Sequence, residues 1–395
     1  MTQRFYSLDV FRGATVALMI LVNNPGSWDH IYTPLDHAAW AGCTPTDLVF
    51  PFFLFAVGNA MAFVMPKLEE KNIFWKKVIT RTFLIFIIGL FLSWFPFVKW
   101  DADHLVRKPW AFINGDGNED GVRIMGVLQR IALCYFFASI IIHFFKLRGA
   151  FVVAAVLLLG YWLLCVAANP SDPFSMTGYF GRNVDIAVLG KSHMLHLDKV
   201  DGKMFHFDYE GLSSTIAAIA QVIFGYIAGN YIISKGKTPE MLNGLFVAGS
   251  VLMFCGLAWD MNFPIIKKIW SSSYTVYTTG LALIILSIMI YIIEFKNVRG
   301  WLARFFDVFG KNALFIFVLS GLLPRLMTLI RIPNTITAEG KQTYLTPLSW
   351  FYQHLCKPIL PFDPRIGSLI YALCFIAMMW FLAWLLDRKK IYIKV

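Results

Sequence analysis

The run Leu35-Asp36-His37-Ala38-Ala39-Trp40-Ala41-Gly42-Cys43-Thr44-Pro45-Thr46-Asp47 sets an imidazole between two carboxylates, just before the apolar run that starts at Leu48. Imidazole titrates near neutrality, which makes histidine the side chain best suited to take a proton at ordinary pH. A carboxylate bonded to one ring nitrogen would fix the tautomer and aim the other. Asp36 is adjacent to His37 and points elsewhere if the segment is regular, so Asp47 is the preferred partner. Asp47 also follows Thr44-Pro45-Thr46, where a carboxylate would stabilise a helix start through its dipole. Ionisable groups held at a membrane boundary are costly, which marks this cluster as a candidate for function.

Other charged residues recur inside apolar surroundings. Asp9 and Arg12 are three apart and can share one helix face. Arg130 and Lys311 interrupt apolar runs, so each needs a partner or a water-filled cavity, and phosphate binding or pairing with Asp9, Asp47 or Asp307 would satisfy them. His193, His196 and His206 have no zinc-protease spacing, and the six cysteines form no CxxC pair, so neither a metal site nor a disulfide framework is expected.

The elements that must position these residues are membrane helices. Of the 395 residues, 58% are hydrophobic and only 15% charged, far from the soluble norm. Apolar runs long enough to cross a hydrocarbon layer of roughly 30 Å lie near 7–24, 45–65, 75–97, 122–145, 150–168, 213–233, 242–260, 273–294, 308–330 and 366–386. The expected fold is therefore an all-α polytopic bundle of about ten spans, one transmembrane domain over 1–395 with no soluble domain. The proline-rich stretch 345–360 reads as an interfacial or re-entrant helix, with an eleventh span as the alternative. Arg4 and Arg12 precede the first run, but Asn23-Asn24-Pro25-Gly26 is no cleavage site, so the first helix should be retained.

The net charge of +11 does not call for nucleic acid, because the basic residues cluster in short connections as topology signals do. Lys67, Lys71, Lys76, Lys77, Arg81, Lys146, Arg148 and the tail Arg388-Lys389-Lys390 fall on one side, whereas 25–44 has no Lys or Arg. Both termini are then cytoplasmic, and the connections 25–44, 98–121 and 169–212 face outward. Polar connections of such length suit a hydrophilic substrate.

Several motifs carry a family likeness. Asp9-Val10-Phe11-Arg12-Gly13, Leu21-Val22-Asn23-Asn24-Pro25-Gly26, His37-Ala38-Ala39-Trp40-Ala41-Gly42 and Asp47-Leu48-Val49-Phe50-Pro51-Phe52 closely resemble the heparan-alpha-glucosaminide N-acetyltransferase family. The likeness continues through Gly126-Val127-Leu128-Gln129-Arg130, Glu210-Gly211-Leu212, Ile269-Trp270-Ser271-Ser272-Ser273 and Gly310-Lys311-Asn312-Ala313. The chain is similar to the compact bacterial form, which lacks the animal enzymes' lumenal extension. The resemblance implies a bacterial inner-membrane location and acetyl transfer from cytosolic acetyl-CoA to an amino sugar on the periplasmic side. It also implies that His37 is the active-site residue, with Asn23 beside it.

Acyl transfer from a thioester to an amine needs a proton acceptor, oxyanion stabilisation and exclusion of water. On this reading His37 is the base, or an acetyl carrier; Asp47 orients it, and Asn23 holds the thioester oxygen. Joint binding of both substrates is preferred over an acyl-imidazole relay. Arg12, Asp9, Arg130 and Lys311 are the candidates for holding acetyl-CoA, with Gly13 and Ala17 leaving room for its arm or merely packing helices. Arg12 lies roughly 16 Å below Asn23 along the helix. Asp36, Trp40, Asp208 and Glu210 are the candidates for the acceptor sugar. The competing readings are an amino-sugar transporter and an O-acetyltransferase of an envelope polysaccharide. Besides the sugar or glycan end and the lipid bilayer, a second copy in a homodimer is the one partner expected.

Overall fold

The computed structural model describes residues 5–68, 70–113, 117–200, 203–336, 340, 342–359 and 362–393. Among them, twelve α-helices run α1 Tyr6–Asn23, α2 Val49–Val64, α3 Lys71–Trp94, α4 Val127–Ala168, α5 Gly181–Leu189, α6 Leu212–Lys235, α7 Pro239–Asp260, α8 Ser272–Ile290, α9 Trp301–Lys311, α10 Ala313–Met327, α11 Pro347–Phe351 and α12 Pro364–Arg388. Eight of these are long and apolar enough to cross a membrane, α2 counted with the turn before it and α8 with the turn after it, and α9 with α10 passes only as a bent pair.

Two expected spans meet at a kink, and another is bent. The runs at 122–145 and 150–168 are two helices within α4, separated as expected by a kink of non-helical backbone at Lys146 (φ 55°, ψ −168°). The run expected at 308–330 begins at Trp301 and bends by 81° between α9 and α10. Of the stretch 345–360, the described residues after Thr346 form the short helix α11, a π turn at Tyr352–Cys356 and a 3-10 turn at Lys357–Ile359. These pieces are too short to cross as an eleventh span.

Small residues set the helix crossings. A Cβ on Gly58 of α2 would lie 1.9 Å from the Val222 carbonyl, and one on Gly225 of α6 would lie 2.1 Å from the Phe55 carbonyl. Only glycine lets the two backbones meet this closely. Gly13 and Gly310 play the same part between α1 and α9, where a Cβ on Gly13 would meet the Phe306 carbonyl at 1.8 Å. Gly13 therefore serves helix packing.

The polar connections hold four hairpins that the sequence reading did not foresee. They pair β1 Val98–Asp101 with β2 His104–Arg107, β3 Ala111–Ile113 with β4 Glu119–Gly121, β5 His196–Val200 with β6 Lys203–His206, and β7 Ile332–Ile336 with β8 Gln342–Leu345. All are antiparallel. Gly115, Asp116 and the His196 side chain lie outside the described residues. Cross-links gather these connections at the end of the bundle that carries His37: Arg123 to Asp208, Trp40 to Phe174, and Ser27 to Ser368.

Candidate active site

Asp47 is built into a helix start. Pro45–Leu48 form a 3-10 turn ahead of α2, and Thr44 and Asp47 make a reciprocal capping box across it. Asp47 Oδ2 accepts from the backbone N–H of Ala38 (3.1 Å) and of Thr44 (3.0 Å) and from Thr44 Oγ1 (3.1 Å). Three donors pin that oxygen, and Oδ1 is left to receive His37 Nδ1 at 2.7 Å. The structural and chemical readings of Asp47 therefore hold together. With an ionised carboxylate at Nδ1, that nitrogen carries the proton and Nε2 carries the ring's lone pair.

The opposite wall comes from the connection between α7 and α8. Gly42 N–H donates to Ile265 O (2.8 Å), and Gly42 forms an isolated parallel bridge with Ile266. Gly42 has φ +109°, a left-handed conformation that suits glycine at this crossing. The strap so formed carries Lys267 onto the imidazole, its Nζ 2.9 Å from Nδ1 and 3.1 Å from Nε2. Lys267 Nζ also lies 3.5 Å from Asp47 Oδ1. Burial lowers the Lys267 pKa below the ordinary lysine value, although Asp47 and Glu210 pull it back up. Neighbouring Lys268 bonds the Ala39 carbonyl and sits over the rings of Tyr209 (5.0 Å) and Trp40 (5.9 Å).

A cavity of about 110 Å³ is lined by His37, Asp47, Asn23, Glu210, Lys267 and Trp270, among others. A larger one of about 780 Å³ shares Asn23, Val127, Tyr209 and Glu210 with it and extends past Arg123 and Gln129 towards α3 and α10. The two form neighbouring compartments with a common wall. Asn23 ends α1; the next residue, Asn24, bonds back to the Ile20 carbonyl (2.9 Å), while Asn23 lines both cavities.

The remaining sequence candidates separate by position. Glu210 faces both cavities and is paired with Arg123. Its burial opposes ionisation, but the guanidinium groups of Arg123 and Arg130 outweigh that and hold its pKa below the usual carboxylate range. Asp208 is 2% exposed and takes the Arg123 fork (3.0 and 2.6 Å) together with the N–H groups of Leu195 and Glu210. It positions Arg123 and Glu210 and lines neither cavity. Asp36 takes the His37 N–H (2.7 Å), and Trp40 Nε1 donates to Phe174 O (2.9 Å); both shape the loop from outside the cavity.

Arg130 is fully buried, donates to Gly211 O (3.1 Å) and to Ser214 Oγ, and lies 5.0 Å above the Trp270 ring. It supports the Trp270 wall from behind. The other three candidates for the donor lie together on α1 and α9. Arg12 reaches Asp9 (2.9 Å) and the Gly310 carbonyl (3.1 and 2.8 Å). Lys311 pairs with Asp307 (2.8 Å) and Asp387 (3.0 Å), so of the two explanations for its charge the pairing one describes this structure. Among the described residues no three His, Cys, Asp or Glu side chains cluster as a metal site.

Sequence reasoning missed Lys267, Lys268 and Arg123. Trp270 stood within a recognised motif but without a role.

No protein-family model matches the chain. It is similar to human heparan-alpha-glucosaminide N-acetyltransferase, with 25% identity over 368 residues that cover 80% of this chain and 52% of that protein. The mouse protein of the same name aligns with 25% identity over 368 residues and 53% of its length. The chain spans about half the length of these curated relatives, and it is a distant homologue of them.

Proposed function

We propose that this distant homologue of the heparan-alpha-glucosaminide N-acetyltransferases is a transmembrane acetyltransferase that passes the acetyl group of acetyl-CoA to the amino group of a glucosamine-type sugar. One observation carries the reading: His37, its Nδ1 held by Asp47 at 2.7 Å, lines one small cavity together with Asn23 and Glu210. The imidazole takes the amine proton at Nε2, Asp47 steadies the imidazolium, and the Asn23 amide donates to the developing oxyanion. Glu210 offers a negative charge to an ammonium arriving from the larger cavity.

Ten crossings fit this reading, with α4 counted twice and α9 with α10 once. Both termini are then cytoplasmic, and His37 opens to the periplasm of a bacterial inner membrane, in keeping with the distribution of Lys and Arg. Acetyl-CoA enters from the α1 and α9 end, where Asp9, Arg12 and Lys311 lie. Its pantetheine arm spans the roughly 16 Å between Arg12 and Asn23.

The test is transfer of radiolabelled acetyl from acetyl-CoA to glucosamine by the purified chain in detergent. Labelled N-acetylglucosamine that vanishes in His37→Ala with CoA binding intact supports the reading. A folded wild-type protein that neither binds CoA nor forms product refutes it.

A further inference from the structure

Lys267 has no part in the mechanism so far, yet it is the nearest cation to the proposed base. Its ammonium reaches both ring nitrogens of His37, at 2.9 and 3.1 Å, and lines the same cavity. The titratable groups around it are His37 and Asp47 from the 35–47 connection, Glu210 from the segment before α6, and Cys43. Cys43 adds no charge, because burial pushes its thiol up to about 12.

Two cations cannot be held about 3 Å apart beside one carboxylate without strong mutual repulsion. When His37 gains a proton, Lys267 is therefore driven to lose one. The direction is favoured before the reaction starts, since burial already weakens the hold of Lys267 on its proton.

We propose that Lys267 is a second catalytic residue, the acid that protonates the departing thiolate while His37 takes the proton of the amine. This rests on the acetyltransferase reading. The amine nitrogen bonds the acetyl carbon and the C–S bond breaks. The N–H proton passes to His37 Nε2, and a Lys267 Nζ proton passes to sulfur. His37 then returns its proton to Lys267 across 3.1 Å, so the cluster ends as it began. The products are the amide and the free thiol, and the cavity never carries an extra charge. A bare thiolate would otherwise have to form beside the carboxylates of Asp47 and Glu210, which line the same cavity.

The test compares two donors, acetyl-CoA and an S-aryl thioacetate, whose weakly basic thiolate leaves without a proton. Glucosamine is the acceptor, and the proteins are the wild type and Lys267→Met, with His37→Ala as control. With acetyl-CoA, Lys267→Met is expected to lose about 100-fold or more in rate. With the aryl donor the loss should shrink to less than about tenfold. The ratio of the two rates within one preparation does not depend on how much protein is folded. A wild type active on both donors, with Lys267→Met impaired equally on both or not at all, overturns the inference and leaves the acetyltransferase reading standing. A wild type inactive on both overturns the two together.

Discussion

Replacing Asp47 by asparagine tests the proposed proton chemistry with little change of shape. Oδ2 of Asp47 accepts from two backbone N–H groups and the Thr44 hydroxyl, so the amide oxygen of an asparagine must take that place. The amide nitrogen then falls where Oδ1 now meets His37 Nδ1, and it can only donate. His37 is forced into the opposite tautomer, with its proton on Nε2 and no lone pair for an incoming amine. Lys267, within 2.9 Å of Nδ1, pushes the same way. Where an orienting carboxylate of this kind is turned into an amide, the turnover rate falls by roughly 10⁴. The expected loss for Asp47→Asn is on the order of 10³ to 10⁴, or about 4–5.5 kcal/mol in barrier height. The assay is single-turnover transfer of labelled acetyl, with CoA binding and thermal midpoint measured on the same sample. If Asp47→Asn folds, binds CoA and keeps more than about a tenth of the rate, the assignment of Nε2 as proton acceptor is wrong. Asp47→Ala is a poorer probe, because it strips three donors of their acceptor at about 1–3 kcal/mol each.

Three further outcomes are expected. Asn23→Ala should lower kcat on the order of 100-fold while CoA affinity stays unchanged, measured by titration and by initial rates. The Glu210 pKa is depressed in the folded chain, so its ionised form adds stability that is full above the ordinary glutamate value of about 4.3 and is lost as pH falls through the folded value. The thermal midpoint of the wild type should therefore drop below that pH, and that of Glu210→Gln should drop less. Gly58→Ala must part α2 from α6, since its Cβ would lie 1.9 Å from Val222 O, at a cost on the order of 2 kcal/mol. Gly300→Ala, with open space at its Cβ, should leave the midpoint in place.

The helical membrane fold was legible because a span needs only length and apolarity, and the runs at 7–24, 213–233 and 366–386 supply both. What was not legible depends on how spans join. The kink at Lys146 falls where the runs at 122–145 and 150–168 part, but the 81° bend at Asn312 has no proline to announce it. The hairpins β1–β2 and β5–β6 lie in mixed polar and aromatic stretches with no clean alternation, so periodicity could not find them. The pair of His37 and Asp47 was readable from types and spacing, because a capping aspartate ten residues on returns to the same loop. Asp208 was harder. Its partner Arg123 is 85 residues away, and only the folded chain brings them within 2.6 Å.

Lys267 did leave a signal in the sequence. The connection that holds Lys267 and Lys268 falls, on the orientation set by Lys67, Lys71, Lys76 and the tail Arg388-Lys389-Lys390, on the side where topology disfavours basic residues. A lysine that topology does not require, next to a predicted helix start, needs another reason to be there. In the fold that reason is local: Gly42 and Ile266 tie two connections together, and Lys267 meets the only histidine lining the small cavity among the described residues. Lys268 shares the same neighbourhood but is turned towards Tyr209 and Trp40, so charge alone does not separate the two. Position does. Lys268→Met should leave the wild-type preference between alkyl and aryl thioesters in place, whereas Lys267→Met should shift it towards the aryl donor. A shift of equal size in both variants would mean that the general positive field of the connection, and not a proton at Lys267 Nζ, assists the leaving sulfur.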